Sequence, residues 1–341
     1  MKRVVWVFMI AVFCSFCVIS SVNAAEKVFN LKGSTFIPPS GARWDNVTDF
    51  MAKLKERTNG RVNLTVSPSG GLAPGQEEYD YLSRGLFDFG QPSSGWVSAY
   101  HNEFGLTMCA LMEAENIPVL MKSEAFKILS EIAAKDNIKL LGYWASIGYN
   151  SHSHKTKFFK KLSDYDGVRF FASGAPHDKI HQLIGAKTVP IPNAELFSAY
   201  QSGLIDSVST SISAQKSFRF YEIAPYMTIF PRTKNLGIFG YMPMMSMKTW
   251  NSLPPDIQDI IMKTAEEITE LSVERWRKSD RVDTLEFFKA SDRVKVYELT
   301  DPEADAIIEH VQKPIQEWYV ERGKGKGREK ELLAIAEKFL K

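Results

Sequence analysis

Tyr81-Leu82-Ser83-Arg84-Gly85-Leu86-Phe87-Asp88 and, 118 residues further on, Ala199-Tyr200-Gln201-Ser202-Gly203-Leu204-Ile205-Asp206 are two versions of one phrase. In each, an apolar helical run ends on a glycine able to take the left-handed conformation that closes a helix. A hydrophobic pair and an aspartate then lead into a strand. A strand also precedes each helix. Val62-Asn63-Leu64-Thr65-Val66 alternates with period two, and Lys187-Thr188-Val189-Pro190-Ile191 is short and apolar. Both copies therefore read as β-loop-α-β units. Two α/β lobes of like design in one chain imply a cleft between them.

The surrounding chain agrees with that reading. It has 341 residues, 44% of them hydrophobic and 12% aromatic, enough for one large or two medium cores. Met1-Lys2-Arg3 is a basic start, Val4 to Ile19 is apolar, and Val22-Asn23-Ala24 precedes Ala25. That is the three-part form of a secretory signal peptide over residues 1–24, cut after Ala24. No second apolar run is long enough to span a bilayer. Loss of Lys2 and Arg3 leaves 40 basic and 40 acidic residues. A mature net charge of zero argues against nucleic acid or an anionic membrane as partner. Cys14 and Cys17 depart with the leader, so Cys109 stands alone and no internal disulfide can form. An exported chain without disulfides suits the periplasm.

Along the mature chain, Phe29 to Gly33 reads as a first strand. Trp44, Val47, Met51 and Leu54 follow at helical spacing until Asn59-Gly60. Further strands are expected at Leu86–Gly90, Ile138–Trp144 and Gly167–Ala172, and Ala175-Pro176 opens a helix with proline at its favoured first position. Leu236 to Met247 reads as one long strand returning to the first lobe. After Leu253-Pro254-Pro255 a helical pattern runs without Gly or Pro to about Ala290, about 50 Å of helix. The lobes are expected at 25–148 plus 241–275 and at 149–240 plus 276–315, with a helical tail at 316–341.

Several motifs, in order, carry a resemblance. Arg57-Thr58-Asn59-Gly60-Arg61-Val62 and Gly70-Gly71-Leu72-Ala73-Pro74-Gly75-Gln76-Glu77-Glu78 come first. Asp164-Tyr165-Asp166-Gly167, Gly185-Ala186-Lys187-Thr188-Val189-Pro190, Asn193 to Tyr200 and Ser252-Leu253-Pro254-Pro255-Asp256 follow. The set resembles the DctP-type receptors of tripartite ATP-independent periplasmic (TRAP) transporters over essentially all of the mature chain. The resemblance implies a two-lobed α/β binding protein with hinge strands and a long brace helix. It implies a monomer without cofactor or metal that closes over a small organic solute and delivers it to a small and a large membrane subunit.

One departure matters for the ligand. Receptors of this type mostly carry an arginine four residues after the glycine of the Asp-Tyr-Asp-Gly motif, where it clamps a carboxylate. Here that position, in Gly167-Val168-Arg169-Phe170-Phe171, is Phe171. A second basic anchor is expected near 149–155, where the chain offers Asn150 and His152 but no arginine. A lost charge-assisted hydrogen bond costs an acid ligand about 1.5–3 kcal/mol, whereas an aromatic face favours a planar or apolar body by about 0.5–1.5 kcal/mol. An aromatic, apolar or polyhydroxylated solute gains ground. An acid stays open by two routes: Arg169, two residues before Phe171 on the same side of the strand, and the helix N-terminus at Ala175 after Ser173-Gly174.

By motif position, Ser93, Asn193 and Thr210 are expected to contact the ligand, His152 to donate to it, and Phe36, Trp96 and Trp144 to point toward the cleft from strand ends. Asp88 and Asp206 are read as turn-holding residues. The pairs His152/His154 and His177/His181 lack a third ligand at a characteristic spacing, so no metal is expected. No Gly-x-Ser-x-Gly, no His-Glu-x-x-His and no nucleophile–base set argues for an enzyme. A receptor of an ATP-driven transporter, or a ligand-sensing partner of a signalling system, is the nearest alternative.

Overall fold

A computed structural model of the chain describes residues 27–338 apart from Tyr149, Asn193, Ala194 and Thr233. The expected signal peptide and the Asn193 contact lie outside the described residues. The strands, in chain order, are β1 (Phe29–Ser34), β2 (Val62–Ser67), β3 (Phe89–Gly90), β4 (Ile138–Leu140), β5 (Trp144–Gly148), β6 (Ser151–His154) and β7 (Arg169–Phe171). They continue with β8 (Lys187–Val189), β9 (Ser207–Thr210), β10 (Tyr226–Ile229), β11 (Ile238–Tyr241), β12 (Met244–Ser246) and β13 (Lys295–Glu298).

Two sheets share one plan. The first is ordered β2-β1-β3-β12-β4 and the second β8-β7-β9-β6-β10-β13. Each has three parallel strands, then one strand running the other way. That reversed strand is supplied across the hinge: β12 returns to the first sheet late in the chain, and β6 enters the second sheet early. A short antiparallel ribbon, β5 with β11, joins the lobes between these exchanges.

The repeated phrase explains why the halves match. Gly85 and Gly203 take φ of +66° and +83°, the left-handed region open to glycine. Both aspartates then pin the next strand to its neighbour. The Asp88 carboxylate accepts the Lys32 amide at 2.8 Å, and that of Asp206 accepts the Arg169 amide at 3.0 Å. Asp88 and Asp206 thus occupy equivalent places and hold strand entries.

The expected strands over 138–144 and 236–247 each break in two. Leu141-Gly142-Tyr143 separates β4 from β5, and Met242-Pro243 separates β11 from β12. Proline cannot donate to a ladder, and each break lies where the chain crosses between lobes. The helix Pro255–Lys278 widens to π hydrogen bonding over Ser279–Thr284 and continues as Leu285–Lys289. Its first part packs on the helix Ala42–Arg57 and on β5. Its π turn packs on the second lobe, where the buried Asp280 carboxylate accepts Asn150 Nδ2 at 2.8 Å and the Ser213 amide at 2.6 Å. One helix therefore braces both lobes. The expected boundaries at 275/276 and 315/316 fall inside unbroken helices, the brace and Asp301–Arg322. The second of these packs on helices of both lobes, Ala175–Leu183 and Leu106–Cys109. No helix among the described residues is long and apolar enough to cross a membrane.

Candidate functional site

The strand-ending loops of the two lobes converge on a cleft. Its inner chamber, about 590 Å³ of empty space including the part open to solvent, is lined from both lobes and the hinge ribbon. The first lobe contributes Phe36, Arg43, Ser93 and Trp96. The second contributes Phe171, Ser173, Leu196, Thr210, Phe218 and Phe220, and the hinge contributes Phe239 and Tyr241. An outer chamber of about 1270 Å³ opens beyond, between Ser69, Pro74–Glu77 and Pro190–Pro192. Phe36 and Trp96 face both chambers. Their rings meet edge to face at 4.5 Å, so this pair forms the partition.

Side chains of the inner chamber are placed by their elements. Phe171 ends β7 beside the helix Leu196–Ser202, 9% exposed, with its ring over a cluster that includes Leu196 and Val208. Phe218 and Phe220 stack at 5.4 Å on the second-lobe wall. Thr210 ends β9, and Ser93 precedes the short helix Ser94–Val97. Neither hydroxyl makes a hydrogen bond among the described residues. Arg43 is the second residue of the helix Ala42–Arg57, where the helix dipole is positive. It donates from Nη1 to the Tyr241 hydroxyl at 3.0 Å. Among the described residues no carboxylate pairs with Arg43, and none lines the inner chamber.

Phe36, Ser93, Trp96, Phe171, Ser173 and Thr210 therefore meet at one cavity. Four other expected residues lie elsewhere. Trp144 is fully buried in the first-lobe core, edge to face with Phe50 at 5.5 Å and donating to the Ala265 carbonyl of the brace helix. The break before β5 turns that ring toward the brace and away from the cleft. Asn150 is consumed by Asp280 at the hinge. His152 lies in an aromatic core of Phe159, Tyr165, Phe170 and Phe230, with Nδ1 2.8 Å from the Tyr165 hydroxyl. Burial holds its pKa well below the usual imidazole value, so it is neutral and out of reach.

Arg169 also fails as a substitute clamp. It stands at the entry of β7, the end away from the cleft, and forks onto Asp206 with bonds of 2.8 and 2.6 Å. Arg169→Ala should leave ligand affinity within about threefold of the parent in titration calorimetry; a larger loss would restore it to the site. The helix N-terminus at Ala175 is occupied as well. Asp178 in its first turn accepts the Ser173 amide at 3.0 Å, so an acid of the chain already takes that positive end.

The rings of His177 and His181 lie 4.1 Å apart, tilted to one another, beside His152, 6.2 Å from His181, all three buried. Burial depresses all three pKa values, that of His177 to about 3. Among the described residues no group of three or more histidines, cysteines, aspartates or glutamates is arranged to hold a metal. The Cys109 thiol is buried and its pKa pushed up, which makes it unreactive.

Residues 34–322 match the DctP family, described as bacterial extracellular solute-binding protein, family 7. The chain belongs to the DctP family. Among its DctP relatives is the C4-dicarboxylate-binding protein DctB of Bacillus subtilis (strain 168), 24% identical over 258 residues, which cover 74% of this chain and 72% of the relative. Similar solved structures include a TRAP periplasmic solute-binding protein from Desulfovibrio salexigens with bound orotic acid, at TM-score 0.80 and 20% identity, covering 91% of this chain and 98% of that one. Another, from Sulfitobacter sp. NAS-14.1 with bound β-D-galacturonate, gives TM-score 0.78 at 20% identity, covering 90% and 99%. The two-lobed DctP fold with its hinge strands and brace helix is thus shown on independent grounds.

Arg43, Tyr241, Phe239, Leu196, Phe218 and Phe220 were not legible as lining residues in the sequence. Arg43 sits in an unremarkable Gly41-Ala42-Arg43 helix start. Only the turn that brings Phe36 and the hinge ribbon to the same place reveals it.

Proposed function

We propose that this chain is an exported receptor that closes over one small organic acid between its lobes and passes it to the membrane subunits of a TRAP transporter. One observation carries the reading: a cavity walled by both lobes and the hinge, in which, among the described residues, the sole charged side chain is an arginine without a carboxylate partner. A ligand touching both walls favours the state in which they are near, so binding and closure are one equilibrium. Related DctP proteins with bound orotic acid, galacturonate or a C4-dicarboxylate name support an acid. The apolar leader before Ala25 supports export to the periplasm. Capture without turnover is the expected chemistry.

A thermal-shift screen over organic acids tests this. A ligand present at a hundred times its Kd stabilises the folded form by about 2.7 kcal/mol, which is a readable rise in melting temperature. Absence of any shift across the screen, or conversion of any acid to a product, would contradict the proposal.

A further inference from the structure

We infer that the bound acid is a monocarboxylate with an aromatic or branched apolar body, its carboxylate gripped by Arg43 of the first lobe and its body received by the second. This rests on the receptor reading above and adds the ligand's class and orientation. Arg43 spends one of its five N–H donors on Tyr241 and keeps the rest for a ligand. Asp49, on the same helix as Arg43, is committed elsewhere, to Arg275. Arg43 is a partly buried residue, and an ionised donor makes the stronger hydrogen bonds to an anion. Tyr241 is itself fixed by its ring contact with Phe36 at 5.1 Å, so the donor fork is pre-organised.

The opposite wall has another character. Phe171, Leu196, Val208, Phe218 and Phe220 present hydrocarbon, and no charged group stands among them. A second carboxylate placed there would lose its hydration without gaining a cationic partner, and the several hydroxyls of a sugar acid would lie largely against hydrocarbon. A ring or branched chain would lose nothing. Among the described lining residues Ser93, Ser173, Ser209 and Thr210 supply neutral hydroxyls, enough for an oxo or hydroxy substituent beside the carboxylate. Phe171 thus fills the usual clamp position because the cation has moved to the facing lobe.

The test is titration calorimetry of the mature protein with benzoate, phenylacetate and 4-methyl-2-oxopentanoate, alongside succinate, galacturonate and the neutral phenylacetamide. At least one apolar monocarboxylate should bind about tenfold or more tighter than succinate and galacturonate. Phenylacetamide should bind about 10- to 100-fold more weakly than phenylacetate, and Arg43→Ala should weaken the preferred acid by a similar factor. Arg43→Lys should recover part of the loss, and a melting curve matching the parent would show that Arg43→Ala is folded. Preferred binding of succinate or galacturonate, or full affinity in Arg43→Ala, overturns this inference and leaves the receptor reading standing. A protein that answers to none of these acids, nor to the wider screen above, overturns both.

Discussion

Gly240→Ala is expected to lower the melting temperature by roughly 10 °C or to leave the protein insoluble. A methyl group at Gly240 would stand 1.6 Å from Tyr143 Cε1 and 2.2 Å from Cδ1. The ring cannot swing aside. Its hydroxyl lies 2.6 Å from Thr107 Oγ1, donates to Ser94 Oγ at 2.8 Å and accepts the Gly240 amide at 3.0 Å, all of them buried. The strain would force apart β5 and β11, the ribbon that joins the lobes, and strand those polar atoms. Overpacking with unsatisfied hydrogen bonds costs about 3–5 kcal/mol. Gly85→Ala is the contrast. Its φ is positive, unlike that of Gly240, but only Lys248 lies near a new methyl, at 4.0 Å, so the cost should be about 1 kcal/mol. Equal melting temperatures for the two variants would refute the packing argument at Gly240.

The second large effect is on pH dependence. Glu78 is fully buried in the first lobe, where its carboxylate accepts the backbone amide of Gln91 and lies near that of Phe36. It ties together the two loops that carry Phe36 and Ser93. Burial raises its pKa from 4.5 to about 8, against the smaller lowering by those amides. Between these values the folded chain keeps a proton that the unfolded chain has released. The contribution to stability is full below pH 4.5 and is lost as pH rises toward 8. Glu113, raised to about 8 chiefly by burial, acts in the same direction. His177 does the reverse. Its pKa falls from 6.5 to about 3, so its contribution is full above pH 6.5 and is lost as pH drops toward 3.

Stability should therefore peak in mildly acid solution. Glu78→Gln mimics the protonated carboxyl. Relative to the parent it should be near neutral at pH 5 and gain about 2–4 kcal/mol at pH 8, read from urea midpoints at both values. An equal offset at the two pH values would show that Glu78 is ionised in the fold.

Much of the fold was legible because it rests on local rules. The glycine-closed helices at Gly85 and Gly203, the alternation of Val62–Val66 and the uninterrupted pattern after Pro255 each determine an element from neighbouring residues alone. The repeat then predicted two lobes. What failed were statements about which way a side chain points after the chain changes lobe. Trp144 was expected at the cleft because Ile138 to Trp144 read as one strand; the break at Gly142 changes its face. His152 alternates correctly on β6, but the sheet side it occupies is covered by Phe159 and Phe230, 71 positions apart from one another. Arg169 was a reasonable replacement for a missing cation, yet Asp206 had already claimed it through the turn both copies share. Arg43 went unseen because a helix-start arginine ordinarily faces water. Its role depends on Tyr241, 198 residues away.

The most direct measurement is a crystal structure of the protein with the tightest-binding acid of the calorimetric panel. The carboxylate should lie within about 3.2 Å of Arg43 nitrogens, with the apolar body between Trp96 and Phe171 and the two lobes closed around it. A carboxylate found at Arg169, at the helix start by Ala175, or anywhere outside the chamber shared by both lobes would contradict the account.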